Sequence, residues 1–289
     1  MDIATFLIQV LNGIQYGFML FLVASGLTLI FGVMGIINIA HGAFYMIGAY
    51  LAFWLTGVVG NLFLAIVLGI PLMVAIGYAI ERLAITHLYH RDHLYQVLLT
   101  YGLILIFNET QKLLWGTDFH SVRVPAILSG SVPLTETLVY PHYRLFISMV
   151  CLGVAAGMYA VISRTKLGMM IRAGASNREM AQALGIDIGK VFAIVFSLGA
   201  ALAGFSGMIG APVSSVYPGM GDEILIVSFV VVVIGGIGSI KGAFVGAMLI
   251  GLADTFGRVL LPELAAMVVY SLMVMVLLWR PQGLFGRPA

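Results

Sequence analysis

Charged side chains are scarce in this sequence. Its 289 residues include 14 Lys and Arg and 12 Asp and Glu, which together make up 9% of the chain, whereas about 25% is usual in a soluble domain. Hydrophobic residues make up 61%, and the mean hydropathy is +1.09. Because a water-facing surface needs polar side chains, the composition excludes a cytosolic enzyme, a nucleic-acid-binding module and a disordered chain. It predicts an all-α polytopic integral membrane protein with a single transmembrane domain over residues 1–289.

Cysteine is nearly absent as well. Cys151, the one cysteine, lies in an apolar run, so the sequence excludes an internal disulfide and a cysteine-based metal site. His87, His90 and His93 cluster without a carboxylate or cysteine framework, so we predict no metal, no cofactor in this chain and no enzymatic activity. The first basic residue is Arg82. A cleaved signal peptide needs a basic segment before its apolar core, so we expect the first apolar run to be a permanent span.

Long apolar runs divide the rest of the chain. A helix needs about 20 residues to cross the hydrocarbon core, and the runs predict nine segments, or eight crossings and one re-entrant piece. Gly204, Gly207 and Gly210 stand at a spacing that predicts close helix packing. The nine predicted segments are residues 5–31, 39–58, 61–80, 94–115, 145–163, 191–211, 224–240, 242–257 and 264–279.

Basic residues orient the predicted spans. Five of them crowd into residues 164–190, which the positive-inside rule places in the cytoplasm. Counting spans from this loop predicts an outside N-terminus, an inside C-terminus and a large external loop at residues 116–142. Ten of the 14 basic residues then lie inside. These ten are Arg82, Arg91, Arg164, Lys166, Arg172, Arg178, Lys190, Lys241, Arg280 and Arg287.

A short motif recurs 200 residues along the chain. Residues 35–44 and 235–244 match at five of ten positions, and each copy lies between two apolar runs near the predicted inner face. Glycine-rich breaks between membrane helices can build solute sites, because irregular backbone survives at membrane depth only where protein or an aqueous cavity surrounds it. A tight turn between packed spans and a chance similarity remain the alternatives. The candidates for the translocation path in these copies are Asn38, His41, Gly42, Gly235 and Gly242.

Polar residues also occur inside the predicted spans. Gln9, Asn12 and Gln15 recur at three-residue spacing on the first span, where they either bond to a neighbouring helix or line an aqueous path. We therefore add Asn12 to the path candidates. Asp254 and Arg258 stand four residues apart, which predicts an intrahelical ion pair, with a gate or a contact to a binding protein as the alternative.

Residues 164–190 carry clear helix signals. Ser176 and Glu179 form the S-x-x-E pattern of a capping box, residues 177–184 favour a helix, and Gly185 follows where a terminal glycine is usual. An isolated helix of two turns is unstable in water, so it needs a surface to dock on. We predict a cytoplasmic motor as that surface, with the chain's own loops or lipid headgroups as the alternatives.

Three separated motifs resemble those of one transporter family. Residues 172–186 read R-A-x-x-x-N-R-E-x-A-x-x-L-G-I, which is similar to the cytoplasmic loop of LivH-type permeases, the membrane subunits of bacterial branched-chain amino-acid ABC importers. Residues 38–50 resemble the first motif block of that family, and residues 279–286 resemble its tail. The motifs follow the family order along the whole chain. They leave the solute open, because importers of urea, amides and aromatic acids have similar permeases.

The resemblance implies a multi-pass permease of the bacterial inner membrane that moves branched-chain or similar amino acids inward. It implies an extracytoplasmic solute-binding protein, a second related permease and two ATPase subunits as partners, in contact with lipid and without nucleic acid. Those subunits would use the ATP, because this chain has no phosphate-binding loop. A stand-alone secondary transporter or channel is the alternative, and it leaves the capped helix unexplained. The residues that the resemblance assigns to ATPase coupling are Arg172, Ala173, Ser176, Glu179, Ala181, Leu184 and Gly185.

Overall fold

The computed structural model describes residues 3–89, 91–133 and 138–286, and their fold is almost entirely helical. Two of the residues discussed above, His90 and Arg287, lie outside these ranges. The longer helices are α1 (Ile3–Met34), α2 (His41–Val59), α3 (Leu62–Leu83), α4 (His93–Trp115), α5 (His142–Arg164), α8 (Ile188–Gly210), α9 (Met220–Gly235), α10 (Ile240–Leu260) and α11 (Ala265–Trp279). The shorter elements are α6 (Lys166–Ser176), α7 (Arg178–Ala183), 3-10 turns at Ile85–Leu88, Ala126–Leu128 and Pro262–Leu264, and an antiparallel hairpin of β1 (Ser131–Pro133) and β2 (Val139–Pro141).

Each of the nine predicted segments corresponds to one of the nine longer helices of the described residues. The largest difference is in α9, which begins at Met220, four residues before the predicted segment, and ends at Gly235, five residues before that segment ends. Seven of these helices are long and apolar enough to cross a membrane, α11 when taken together with the 3-10 turn at Pro262–Leu264, and α4 and α9 are the two outside this set. The prediction of an all-α polytopic membrane protein is therefore confirmed.

Helix α8 lies at the centre of the bundle and packs against α1, α2 and α3. A Cβ atom added at Gly48 of α2 would lie 2.0 Å from the carbonyl oxygen of Gly204, and one added at Gly207 would lie 2.0 Å from that of Tyr45. The two helix backbones are thus in direct contact, which small residues allow in membrane bundles. Gly210 approaches Tyr45 as well, so the prediction of close packing at these glycines is confirmed.

Helix α1 runs antiparallel to α10 over most of its length. Gly13 contacts Leu252 near one end of the pair, and Gly32 contacts Gly238 near the other. The last turns of α1 therefore lie beside the α9–α10 turn, which is the second copy of the repeated motif. We call the end that holds this turn and residues 164–190 the inner end, and the opposite end the outer end.

The two ends of the bundle carry different loops. The C-terminal tail returns to the inner end, where the N–H of Leu284 donates to the carbonyl of Ile234 over 2.8 Å. The predicted external loop lies at the outer end, where His120 and Val216 exchange two backbone hydrogen bonds of 2.8 Å. The described members of the ten residues predicted to lie inside are all at the inner end.

The backbone contact at Gly48 generates a stability prediction. Gly48→Ala should destabilise the protein by about 1–3 kcal/mol, because its methyl group has no space against α8. Gly57→Ala on the same helix is the matched control, since a Cβ atom there meets nothing within 4 Å. Thermal unfolding of the detergent-solubilised variants measures the difference. Equal melting temperatures for the two variants would contradict the packing of α2 on α8.

Candidate functional site

The first copy of the repeated motif is a break in the middle of the membrane region. Helix α1 ends at Met34, and the chain turns at Gly35, whose φ is +66°, a value that favours glycine. His41 begins α2, and its Nε2 lies 3.0 Å from the carbonyl oxygen of Val23. Val23 lies about three turns before the end of α1, or ~16 Å along its axis. Residues 35–40 therefore run back along α1, and α2 begins deep in the bundle.

This position corrects the expected location of His41. The sequence placed both motif copies near the inner face, because a short glycine-rich linker was interpreted as a turn. Six extended residues span about 20 Å, which is enough to carry the chain back to the depth of Val23. Lys241, which occupies the equivalent position in the second copy, is exposed at the inner end, whereas His41 is fully buried. The two side chains therefore have different environments.

Other helices of the bundle pack around the break. Ala40 packs with Ile104 of α4 and Leu225 of α9. Asn38 is fully buried, and its Oδ1 accepts a hydrogen bond of 3.1 Å from the N–H of Ala40. Within the described residues, Asn38 Nδ2 and His41 Nδ1 have no hydrogen-bond partner. Unpaired buried polar atoms cost free energy, so both of these atoms would gain from a hydrogen bond to a solute or water.

The glycine candidates stand at helix crossings. A Cβ atom added at Gly42 would lie 2.1 Å from the carbonyl oxygen of Gly221, where α2 meets the start of α9. One added at Gly235 would lie 2.3 Å from the carbonyl carbon of Gly242, where α9 and α10 form a tight hairpin. The second copy is therefore the packed turn of the alternative interpretation, and the first copy is the break. A role of these glycines in translocation stays a prediction.

Helices α6 and α7 form a surface at the inner end. The capping box predicted at Ser176 and Glu179 is wrong by one residue. Asn177 is the cap, and its Oδ1 accepts a 2.9 Å hydrogen bond from the N–H of Met180. Ser176 is unavailable because α6, a helix that the sequence analysis missed, extends through it. Helix α7 consequently has six residues instead of eight. Gly185 follows it with a φ of +85°, as a terminal glycine should.

The predicted coupling residues divide into two groups. Glu179 is exposed, as are Ser176 and Gly185, and Leu184 keeps 76% of its surface exposed. Ala173 and Ala181 pack toward the chain's own core, so Ala181 does not offer a small surface to a partner. The guanidinium of Arg172 donates to the carbonyl of Ile162 at the end of α5. The exposed group is the part of the set that a partner can reach.

Arg178 is the residue of this surface that sequence reasoning missed. Its Nη2 donates to the carbonyl of Met34 and lies 3.4 Å from that of Val33. The last carbonyls of a helix lack partners and carry partial negative charge, so a guanidinium there stabilises the end of α1. A Cβ atom at Gly35 would lie 2.8 Å from the same nitrogen. No local pattern pairs residues so far apart in sequence, although the motif match included Arg178.

Further contacts extend from Arg178 to α3. Its guanidinium carbon lies 5.2 Å from the ring centroid of Phe192, whose ring meets that of Tyr89 edge to face at 5.0 Å. The Tyr89 hydroxyl donates to the carboxylate of Glu81, which is fully buried on α3. Burial, followed by this hydrogen bond, raises the pKa of Tyr89 above its usual range. The contacts of Arg178, Phe192, Tyr89 and Glu81 therefore connect α7 with α1, α8 and α3.

The loop after Gly185 anchors α8 at the same surface. Asp187 caps α8, and its Oδ1 accepts a 3.1 Å hydrogen bond from the backbone N–H of Lys190. That hydrogen bond, followed by the contact with the Lys190 ammonium, lowers the pKa of Asp187 below its usual range. The carboxylate form of Asp187 is thus the form that the fold favours at neutral pH.

A cavity of about 340 Å³ opens at the outer end. Asn12 lines it together with Gln9 and Gln15, and Asn12 Oδ1 accepts a 2.6 Å hydrogen bond from Nη1 of Arg144 on α5. The polar stripe of α1 thus both bonds to a neighbouring helix and lines a polar space, as the two interpretations proposed. In the described ranges, no group of three or more His, Cys, Asp or Glu side chains is arranged to hold a metal ion.

The corrected cap of α7 gives a prediction. Asn177→Ala should weaken α7 by about 1 kcal/mol, because the N–H of Met180 loses its acceptor. Hydrogen exchange at the α7 amides should then rise about fivefold. Ser176→Ala is the matched control and should leave exchange unchanged. A larger effect from Ser176→Ala than from Asn177→Ala would restore the original capping box.

Comparison with known proteins identifies the family of this chain. The profile of the family described as "Branched-chain amino acid transport system / permease component" matches residues 9–277. The high-affinity branched-chain amino acid transport system permease protein BraD of Pseudomonas aeruginosa is 33% identical, over 99% of this chain and 98% of that protein. The corresponding LivH of Escherichia coli K12 is 30% identical, over 98% of this chain and 96% of that protein.

A second kind of permease is more distantly similar. The branched-chain amino acid permease protein LivM of Escherichia coli K12 is 26% identical, over 90% of this chain and 66% of that protein. No solved structure matches the chain. The motifs at both ends and in the inner loop, the apolar helices and the match over residues 9–277 agree. The chain therefore belongs to the family of branched-chain amino acid transport system permease components.

Proposed function

We propose that this chain is a membrane permease subunit of an ABC importer that moves branched-chain amino acids inward across the bacterial inner membrane. The observation that carries this proposal is the similarity to BraD and LivH over at least 98% of this chain. Both relatives are named as permeases of high-affinity branched-chain amino acid systems. Because the alignment also covers at least 96% of each relative, the likeness extends to the whole permease and not to one shared motif.

The partners of this subunit are part of the proposal. Similarity to both LivH and LivM supports pairing with a second, related permease. The chain lacks a phosphate-binding loop, so two ATPase subunits at the inner end would bind and hydrolyse ATP. An extracytoplasmic binding protein would deliver the solute at the outer end.

Exposed side chains at α7 favour an ATPase docking surface there. Met180 keeps 58% of its surface exposed and Leu184 keeps 76%, although both lie beyond the membrane region at the inner end. Exposed apolar groups of this kind gain stability when a partner covers them. Arg178 on the same helix bonds to the end of α1, immediately before residues 35–40. Helix α7 is therefore in direct contact with the helix that leads into the break, so a displacement of α7 would act on that helix.

Reconstitution tests the transport function. The tagged chain would be co-purified in mild detergent with the subunits that remain bound, identified by mass, and placed in proteoliposomes with its binding protein. We expect uptake of leucine, isoleucine and valine that requires ATP on the ATPase side, because this chain has no phosphate-binding loop. Liposomes that hold this chain alone are the control.

Two outcomes would overturn the proposal. Uptake of urea, amides or aromatic acids without uptake of branched-chain amino acids would assign another solute class. Uptake by the chain alone without ATP would indicate a secondary transporter or channel. The names of the relatives favour the importer of branched-chain amino acids over both alternatives.

A double substitution tests the docking surface. Glu179→Arg together with Leu184→Asp should lower ATP-driven uptake at least about 30-fold, because a central contact of an interface contributes ~2 kcal/mol or more. Leu83→Asp is the control, since Leu83 is 79% exposed at the inner end and belongs to α3, a different helix. Uptake, ATP hydrolysis stimulated by the binding protein, and melting temperature are measured together. Normal coupling in the double variant would remove the ATPase role from α7.

A further inference from the structure

Polar groups from separate elements meet at the outer cavity, among apolar side chains. Helix α1 supplies Gln9, Asn12 and Gln15, helix α5 supplies Arg144, and helix α10 supplies Asp254 and its ion-pair partner Arg258. Its volume of about 340 Å³ is at the lower end of the range of small-molecule sites, roughly 300–1,000 Å³. The cavity is therefore large enough for a small solute, and it offers both signs of charge.

Arg144 supplies the positive side. Its guanidinium is half-buried and donates to Asn12 Oδ1, a neutral acceptor. Among the described residues, Arg144 forms no ion pair within 4.0 Å. A guanidinium has five N–H donors in a fixed fork, which matches the two oxygens of a carboxylate. Arg144 thus has donors to offer to a carboxylate in the cavity.

Asp254 supplies the negative side. Its side chain is 13% exposed, and one carboxylate oxygen lies 2.8 Å from Nε of Arg258, which is 69% exposed. An ion pair with so exposed a partner contributes little, because water solvates the guanidinium in its place. A carboxylate accepts up to about four hydrogen bonds. Asp254 can therefore accept hydrogen bonds from an ammonium group in addition to the one from Arg258.

The floor of the cavity is less polar and leads toward the break. Met19 and Tyr45 line it, and the Tyr45 hydroxyl lies 3.1 Å from the position of a Cβ atom at Gly210. Tyr45 is on the first turns of α2, four residues after His41. An aliphatic side chain would contact Met19 and the Tyr45 ring, while charged groups of a solute stayed near Arg144 and Asp254.

We propose that the outer cavity binds the solute of this permease as an α-amino acid zwitterion. Arg144 binds the carboxylate, Asp254 binds the ammonium group, and the apolar side chain lies toward Met19 and Tyr45. The identity of the solute rests on the proposed function, but the charge arrangement is an independent observation. Asp254 keeps its ion pair with Arg258 whatever the solute, whereas Arg144 has no ion-pair partner among the described residues. The carboxylate of an amino acid would supply that partner and urea would not, so the cavity favours a zwitterion over an amide.

A labelling experiment tests this site in the assembled complex. Cys151 is fully buried, so a Val259→Cys substitution at the cavity rim gives a selectively reactive thiol on this chain. An uncharged maleimide labels it in nanodiscs without the binding protein, and leucine is added as the protecting solute. We expect leucine to slow labelling. We expect no protection by urea, by 3-methylbutylamine, which lacks the carboxylate, or by 4-methylpentanoate, which lacks the ammonium group.

Variants of the two charged residues extend the test. Arg144→Gln and Asp254→Asn should each raise the leucine concentration for half-protection about 10- to 100-fold, since each removes a charge-assisted hydrogen bond. Arg144→Lys should lie between wild type and Arg144→Gln. Arg123→Gln is the matched control, because Arg123 is exposed at the outer end and lines a different cavity. Melting temperatures show that each variant is folded.

The outcomes separate this site from the proposed function. ATP-driven leucine uptake by a complex in which leucine gives no protection would overturn the site and leave the function intact. Protection that is equal with urea, or unaffected by Arg144→Gln, would also overturn it. If Arg144→Gln abolished only the stimulation of ATP hydrolysis by the binding protein, Arg144 would belong to the docking surface and the site would fall. Protection by leucine that depends on Arg144, in a complex without leucine uptake, would support the site and overturn the function.

Discussion

The structure depends on one constraint, which is that backbone polar groups inside a bilayer must find partners within the protein. Residues 35–40 leave the helical pattern in the middle of the bundle, so other helices have to enclose them. Gly42 allows the start of α2 to touch α9, and Gly48 allows α2 to touch α8. Glycine at these crossings brings the helices close enough to exclude lipid from the break.

The helices themselves could be predicted from sequence, and the break only in part. Runs of about 20 apolar residues are a local signal, so each predicted segment matches one helix. The depth of His41 depends instead on a tertiary contact with Val23. A six-residue linker has the same sequence signature whether it turns at the surface or runs back along α1. The repeated motif therefore identified the segment that breaks the helix. The depth of that segment in the bundle could be read only from the three-dimensional structure.

At the inner surface, too, the partners of individual side chains could not be predicted from sequence. Ser176 and Asn177 are both good caps, and sequence alone does not tell which of them begins α7. The extent of α6 decides the matter, because Ser176 is already part of that helix. The bond from Arg178 to Met34 joins residues 144 positions apart, so no periodicity or spacing predicts it. The polar stripe with Asn12 was visible in the sequence, but its partner Arg144 was not.

Helix α1 connects these separate features. Asn12 lines the outer cavity, Val23 holds the start of α2 at the break, and Met34 accepts the hydrogen bond from Arg178 at the inner surface. The helix is continuous over 32 residues, so one element carries all three positions. A rigid secondary element with contacts at both ends is one carrier of coupling between distant sites. Because α1 touches the outer cavity, the break and the inner surface, a shift imposed at Arg178 would reach the other two positions through one helix.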